Sequence, residues 1–248
     1  MNWKIIRKTI FIFTSTCLFL FLILLSLAIF YYPGGSRFDQ STVGFDLLNT
    51  FVSDLGRNIA INGEDNTISQ TFFVIAITIM GISQIYYFCN LPFEVRNKKS
   101  SFILTIIGSI IGILSSILYI AIAFNPWDVN TDLHNKLIYS AAPILCVAAI
   151  ILTLAIFLDK QFSKFQGYIF LSLVSFFVIF AIATAIGTTL PNRINWNIRI
   201  LGHTILIYAE AVLFGLISIG MFKHLHTALR SNKSVIDTEE VNINQAKI

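Results

Sequence analysis

The stretch SFILTIIGSIIGILSSILYIAIAF, Ser101 to Phe124, decides the fold, because it runs 24 residues without a charge or a proline. At about 1.5 Å per residue, a helix of that length crosses the ~30 Å hydrocarbon core of a bilayer. A strand of a membrane barrel would alternate apolar and polar residues with period 2, and no such alternation runs through this segment. Working outward, five more runs share its character: Ile10 to Tyr32, Thr71 to Leu91, Leu137 to Leu158, Gly167 to Leu190 and Leu201 to Phe222. The chain therefore reads as all-α, a polytopic membrane protein folded as a six-transmembrane-helix bundle over residues 1–230. Residues 231–248 are polar and aperiodic, which predicts a disordered cytoplasmic tail.

Composition agrees with that reading. Of 248 residues, 56% are apolar and 12% charged, and the mean hydropathy is +0.77, against about 25% charged in soluble domains. The first run follows Trp3, Lys4, Arg7 and Lys8 as in a signal peptide, but it is longer than the roughly 7 to 15 residues of a cleavable apolar region. It is expected to be kept as the first span. Cys17, Cys89 and Cys146 are odd in number, lie within the predicted spans and have no metal-like spacing, so they suggest neither a disulfide framework nor a zinc knuckle.

The net charge of +4 invites a nucleic-acid reading, which the placement of the charges opposes. Twelve lysines and arginines fall on the side of the two termini and of the second and fourth connections, and five on the other side. The positive-inside rule then puts both termini in the cytoplasm of a multi-pass cell-membrane protein. Membrane lipids, with a membrane protein as a further possible partner, are the expected partners, and nucleic acid is not. Trp127, Trp196 and Tyr31-Tyr32 sit at predicted outer boundaries, as amphipathic rings do.

Only the first outer connection, Pro33 to Ile68, is long enough for structure of its own. Leu48, Phe51, Val52, Leu55 and Ile59 recur at helical steps, with Asp46, Thr50, Ser53, Asp54 and Arg57 on the opposite side. This predicts a short amphipathic helix on the outer face. Gly108, Gly112 and Ser116 form a small-xxx-small step that permits close helix approach, either within one subunit or at a dimer seam. Pro143 removes an amide donor within the fourth span.

Glu210 lies about nine residues, or roughly 13 Å, inside the sixth span at helical rise. A carboxylate there costs on the order of 2.5 to 3.5 kcal/mol on insertion scales. His203 and Arg199 precede it by seven and eleven residues, which at about 100° per residue places all three on one stripe. His134 opens the fourth span beside Asp132 at the same outer level. Two histidines and several carboxylates are the ligand types of zinc, but no HxxxH or HExxH pair fixes two of them on one helix face. A haem held by His134 and His203 is disfavoured because both lie at the rim. For Asp54, the plain alternative is an i,i+3 pair with Arg57 on a solvated face.

These features together, a Ser53-Asp54-Leu55-Gly56 segment before the second span, His134 in the fourth and Glu210 in the sixth, resemble the DRAM/Frag/Sfk group of six-helix membrane proteins and a related prokaryotic membrane family. The resemblance covers about Tyr32 to Phe222 and rests on Ser53, Asp54, Gly56, His134 and Glu210. Ala211 stands where the DRAM branch often carries tryptophan, which favours the prokaryotic relatives. The resemblance implies a role in membrane lipid organisation, lipid-anchor maturation or autophagy, without an established catalytic mechanism.

The leading expectation is a non-enzymatic lipid-binding or membrane-organising factor. Its site would be an outer-face cluster of Ser53, Asp54, Gly56, Asp132, His134, Arg199, His203 and Glu210, with Arg193 or Arg199 suited to a phosphate. No cofactor is required by that reading. A zinc-dependent membrane hydrolase using His134 and His203 is the alternative, and a proton-coupled transporter using Glu210 is a further one. No Gly-rich phosphate loop, dinucleotide fingerprint, kinase signature or Gly-x-Ser-x-Gly elbow is present.

Overall fold

A computed structural model describes residues 3–95, 97–160 and 162–245, with the side chains of residues 3–8, 11 and 220–245 outside that description. Six helices follow in order: α1 Trp3–Tyr31, α2 Thr67–Glu94, α3 Lys99–Ala123, α4 Thr131–Leu158, α5 Lys164–Gly187 and α6 Asn192–Gln245. All six are long and apolar enough to cross a membrane, the qualifying part of α6 being Asn192–Ile219. The protein is an integral, multi-pass membrane protein. The tail expected over 231–248 lies beyond the described side chains.

Several helices start before their apolar runs. An apolar run reports lipid contact, whereas a helix continues as far as its end groups are satisfied. In α4 the Asn130 side chain accepts from the Leu133 amide at 3.0 Å, which starts the helix at Thr131. His134 therefore sits within the first turn of α4. That helix runs unbroken through Pro143.

Each helix packs on its chain neighbours, and α6 closes on α1. The short connections make each of α2 to α6 antiparallel to the next. The middle of this ring is plugged by Tyr87, Phe88, Phe170 and Phe214, with Tyr87 at 5.6 to 6.3 Å from the other three ring centroids. The small residues of α3 serve this packing within the chain. A Cβ on Gly112 would lie 2.7 Å from the Phe88 ring, and one on Gly108 would lie 2.8 Å from Leu152.

The first connection departs from expectation. In place of an amphipathic helix there is one 3-10 turn, Val52–Gly56. Asp46 starts a turn, its side chain accepting from the Leu48 amide at 2.9 Å and its carbonyl from the Thr50 amide at 2.9 Å, but extended backbone at Phe51 (φ −70°, ψ 146°) stops it before the 3-10 turn begins. The expected faces are also exchanged in part. Thr50 and Asp54 are buried, while Leu48 and Ile59 are about half exposed. Gly35, at φ +84°, packs so closely on the backbone of Ile61 and Asn62 that a side chain would collide there.

That connection is also fastened to the one between α3 and α4. The Asp128 carboxylate accepts from the amides of Asn58 and Ile59, each at 3.0 Å. Asn66 donates to the carbonyls of Leu55 at 3.0 Å and Arg57 at 2.8 Å. The 33–66 segment is thus a folded cover over one end of the bundle.

Candidate functional site

Asp54 organises the 3-10 turn beneath that cover. Its Oδ2 accepts from the Phe51 amide at 3.1 Å, and its Oδ1 lies 3.5 Å from the Arg57 guanidinium. The expected i,i+3 pair exists, but in a buried setting. Burial pushes the Asp54 carboxyl above its ordinary range, against the opposing pull of Arg57, the Phe51 amide and Arg37. Asp54 therefore shapes the turn. Gly56 lets the turn sit on α2, since a Cβ there would come within 2.6 Å of the Phe73 ring.

The turn thereby aims Ser53 into a cavity of about 90 Å³ between the helices. Phe73 and Ile77 of α2, Tyr119 and Ile122 of α3, Ile138 and Ala142 of α4 and Phe180 of α5 form most of the wall. From α6 come His203, Leu206, Ile207 and Glu210. The wall is largely apolar, with Ser53, Tyr119, His203 and Glu210 as its polar groups, the pattern common to small-molecule sites.

Glu210 is buried and hydrogen-bonded on both oxygens. Gln84 Nε2 donates to Oε1 at 2.5 Å and the Tyr119 hydroxyl donates to Oε2 at 3.1 Å. The Ser116 hydroxyl lies 3.1 Å from Gln84 Oε1, which turns the amide so that its NH₂ faces the carboxylate. Neutral donors from α2 and α3 thus offset the burial of Glu210. Gln84 and Tyr119 were missed as site residues; an amide and a phenol within apolar spans were the available signals.

The remaining expected residues divide. His134 is buried, with Nδ1 2.6 Å from the Asn125 carbonyl. A carbonyl only accepts, so Nδ1 carries the proton and Nε2 presents its lone pair. His134 Nε2 and His203 Nδ1 are both buried without a hydrogen-bond partner among the described residues. Asp132 leaves the site altogether: it is exposed and pairs with Lys136 at 2.6 Å, an i,i+4 contact that its sequence spacing favours. Arg199 stays at the rim, its Nε donating to Asn195 Oδ1 at 3.1 Å and its guanidinium 5.4 Å from the Trp196 ring centre. The stripe read from sequence therefore reaches the cavity only through His203 and Glu210. Among the described residues, no three His, Cys, Asp or Glu side chains are grouped so as to hold a metal ion.

The rim is joined to the cavity through Phe51. Its ring stands edge-on to Trp196 at 6.2 Å and to His203 at 5.7 Å. Around Trp196, the Arg37 guanidinium stacks at 3.3 Å from the ring centre, and Arg193 lies 5.4 Å from the Phe38 ring centre.

No protein-family model, curated protein or solved structure matches this chain.

Proposed function

We propose that this protein is a non-enzymatic lipid-binding factor of the cell membrane, which takes part of a lipid into the cavity beneath the 33–66 cover. The observation that carries this reading is the meeting of Ser53, Tyr119, His203 and Glu210 on an otherwise apolar cavity. A mostly apolar wall with a few fixed polar groups suits an amphiphile, whose chain fills the space while a polar atom near its head meets the hydrogen-bonding groups. In this reading the cover faces away from the cytoplasm and both termini face it, in keeping with the lysine and arginine asymmetry. Kinship with the DRAM/Frag/Sfk group and its prokaryotic relatives belongs to the same proposal.

The test fills the cavity. Ala142→Phe and Ile138→Phe place a ring in the space, and the lipids that co-purify with each variant are quantified by mass spectrometry against the parent protein. Loss of a specific co-purified lipid from a variant that keeps its melting temperature supports the reading. An unchanged lipid complement in both folded variants rejects it.

Proton-coupled transport is the second reading, favoured by one observation: the described partners of Glu210 are the neutral groups Gln84 and Tyr119, and buried carboxylates mark proton relays. Zinc hydrolysis has less support, since catalytic zinc takes three protein ligands and no such group is found among the described residues.

A further inference from the structure

We infer that Arg37 and Arg199, at the Trp196 ring, and Arg193, at the adjoining Phe38 ring, bind the phosphate of an anionic lipid whose chain enters the neighbouring cavity. This rests on the lipid-binding reading and names the headgroup chemistry that the reading leaves open.

Two segments far apart in sequence build the site by exchanging partners. Arg37 of the first connection stacks on Trp196 of α6, while Arg193 of α6 lies over Phe38, the residue next to Arg37. A guanidinium held by its flat face keeps its in-plane N–H edge free for an oxyanion. Arg199 uses its Nε on Asn195, and its two terminal nitrogens make no hydrogen bond or ion pair among the described residues.

Charge balance points the same way. The carboxylate that acts on Arg37 is Asp54, which already faces Arg57 at 3.5 Å. Burial weakens the hold of Arg37 on its proton, Asp54 opposes that effect, and nearby Arg199 adds to it. Arg37, Arg193 and Arg199 thus form a positive cluster with no ion-paired carboxylate among the described residues, beside the first turn of α6. The positive end of that helix dipole also favours an anion. An incoming phosphate relieves the repulsion between Arg37 and Arg199.

Position selects a lipid over a freely diffusing anion. Trp196 lies near the end of a membrane-length helix, where indole rings settle at headgroup depth. Phe51 touches both Trp196 and the cavity-lining His203, so headgroup and chain sites are contiguous.

The test uses full-length protein in detergent, titrated separately with phosphatidylglycerol, phosphatidylcholine and inorganic phosphate while bound species are counted by native mass spectrometry. The parent protein is expected to bind phosphatidylglycerol about tenfold more tightly than phosphatidylcholine, as one charge-assisted contact would supply. Arg37→Gln, Arg193→Gln and Arg199→Gln each reduce that preference, and the triple variant abolishes it. Arg37→Lys, which keeps the charge but loses the planar fork, restores less than half of it. Equal affinity for the two lipids, or an unchanged preference in a folded triple variant, overturns the inference. Inorganic phosphate binding as tightly as phosphatidylglycerol assigns the arginines to a free anion and overturns the lipid form. Ala142→Phe separates the two levels: lipid lost there but indifferent to the arginines leaves the cavity reading standing and removes the headgroup site, whereas binding that ignores Ala142→Phe removes the cavity reading.

Discussion

Gln84 of α2 donates to the carboxylate of Glu210 of α6 at 2.5 Å, across 126 residues of sequence. This contact ties the first half of the bundle to its last helix at mid-membrane depth, and Tyr119 and Ser116 extend it into α3. Gln84, Ser116, Tyr119 and Glu210 therefore form a connected set.

Gln84→Leu is expected to destabilise the protein by about 1 to 3 kcal/mol, because it leaves Glu210 Oε1 buried without its donor. Adding Glu210→Leu to that variant should recover part of the loss, since it removes the unmet Oε1 although it deprives the Tyr119 hydroxyl of its acceptor. Thermal unfolding of the two single variants and the double variant in one detergent measures the coupling, and simple additivity would contradict a direct contact.

Gly56→Ala is expected to cost about 1 to 3 kcal/mol, because the new methyl meets the Phe73 ring at 2.6 Å. Phe73→Leu in the same chain should return part of that loss by making room. A Gly56→Ala protein that melts with the parent would show that the turn does not sit closely on α2.

Acid should favour the cover. Burial raises the folded-state pKa of Asp54 above its ordinary value of 3.8. For a group raised on folding, the stabilising contribution is complete below the unfolded value and is lost as pH rises through the folded one. The melting temperature should therefore carry a downward component as pH climbs from about 4. Asp54→Asn should remove that component while keeping an acceptor for the Phe51 amide. Identical pH profiles for the parent and Asp54→Asn would show that Asp54 titrates as it does in the unfolded chain.

Val43 is 92% exposed on the cover, which makes it a reporter of topology. With Cys17, Cys89 and Cys146 replaced by serine or alanine, Val43→Cys should react with a membrane-impermeant maleimide added to intact cells. Labelling only after permeabilisation would place the cover in the cytoplasm and reverse the proposed orientation.

What could be read from the sequence follows from how strongly the bilayer constrains it. The six spans were legible because lipid demands long apolar helices; Glu210 stood out because a carboxylate at that depth is costly, and His203 because its spacing puts it on the same helix face. Gln84 and Tyr119 were not singled out: an uncharged polar residue on a membrane helix carries no mark of which neighbour it meets. The stacking of Arg37 on Trp196 was hidden for a different reason, since it depends on the path of an irregular connection. That same path defeated the expected amphipathic helix, which extended backbone at Phe51 interrupts in the middle of the apolar period. Asp132 was misplaced although its i,i+4 partner Lys136 was visible, because a shared outer level was taken to imply convergence.

The bond between Gln84 and Glu210 also bears on how the protein is made. During synthesis α2 and α3 emerge before α6, so an amide and a hydroxyl precede the acid that they bind. A later helix, α6, carries the most costly residue to place in the membrane. Until α6 joins them, Gln84 and Tyr119 lack the carboxylate to which both donate in the folded bundle.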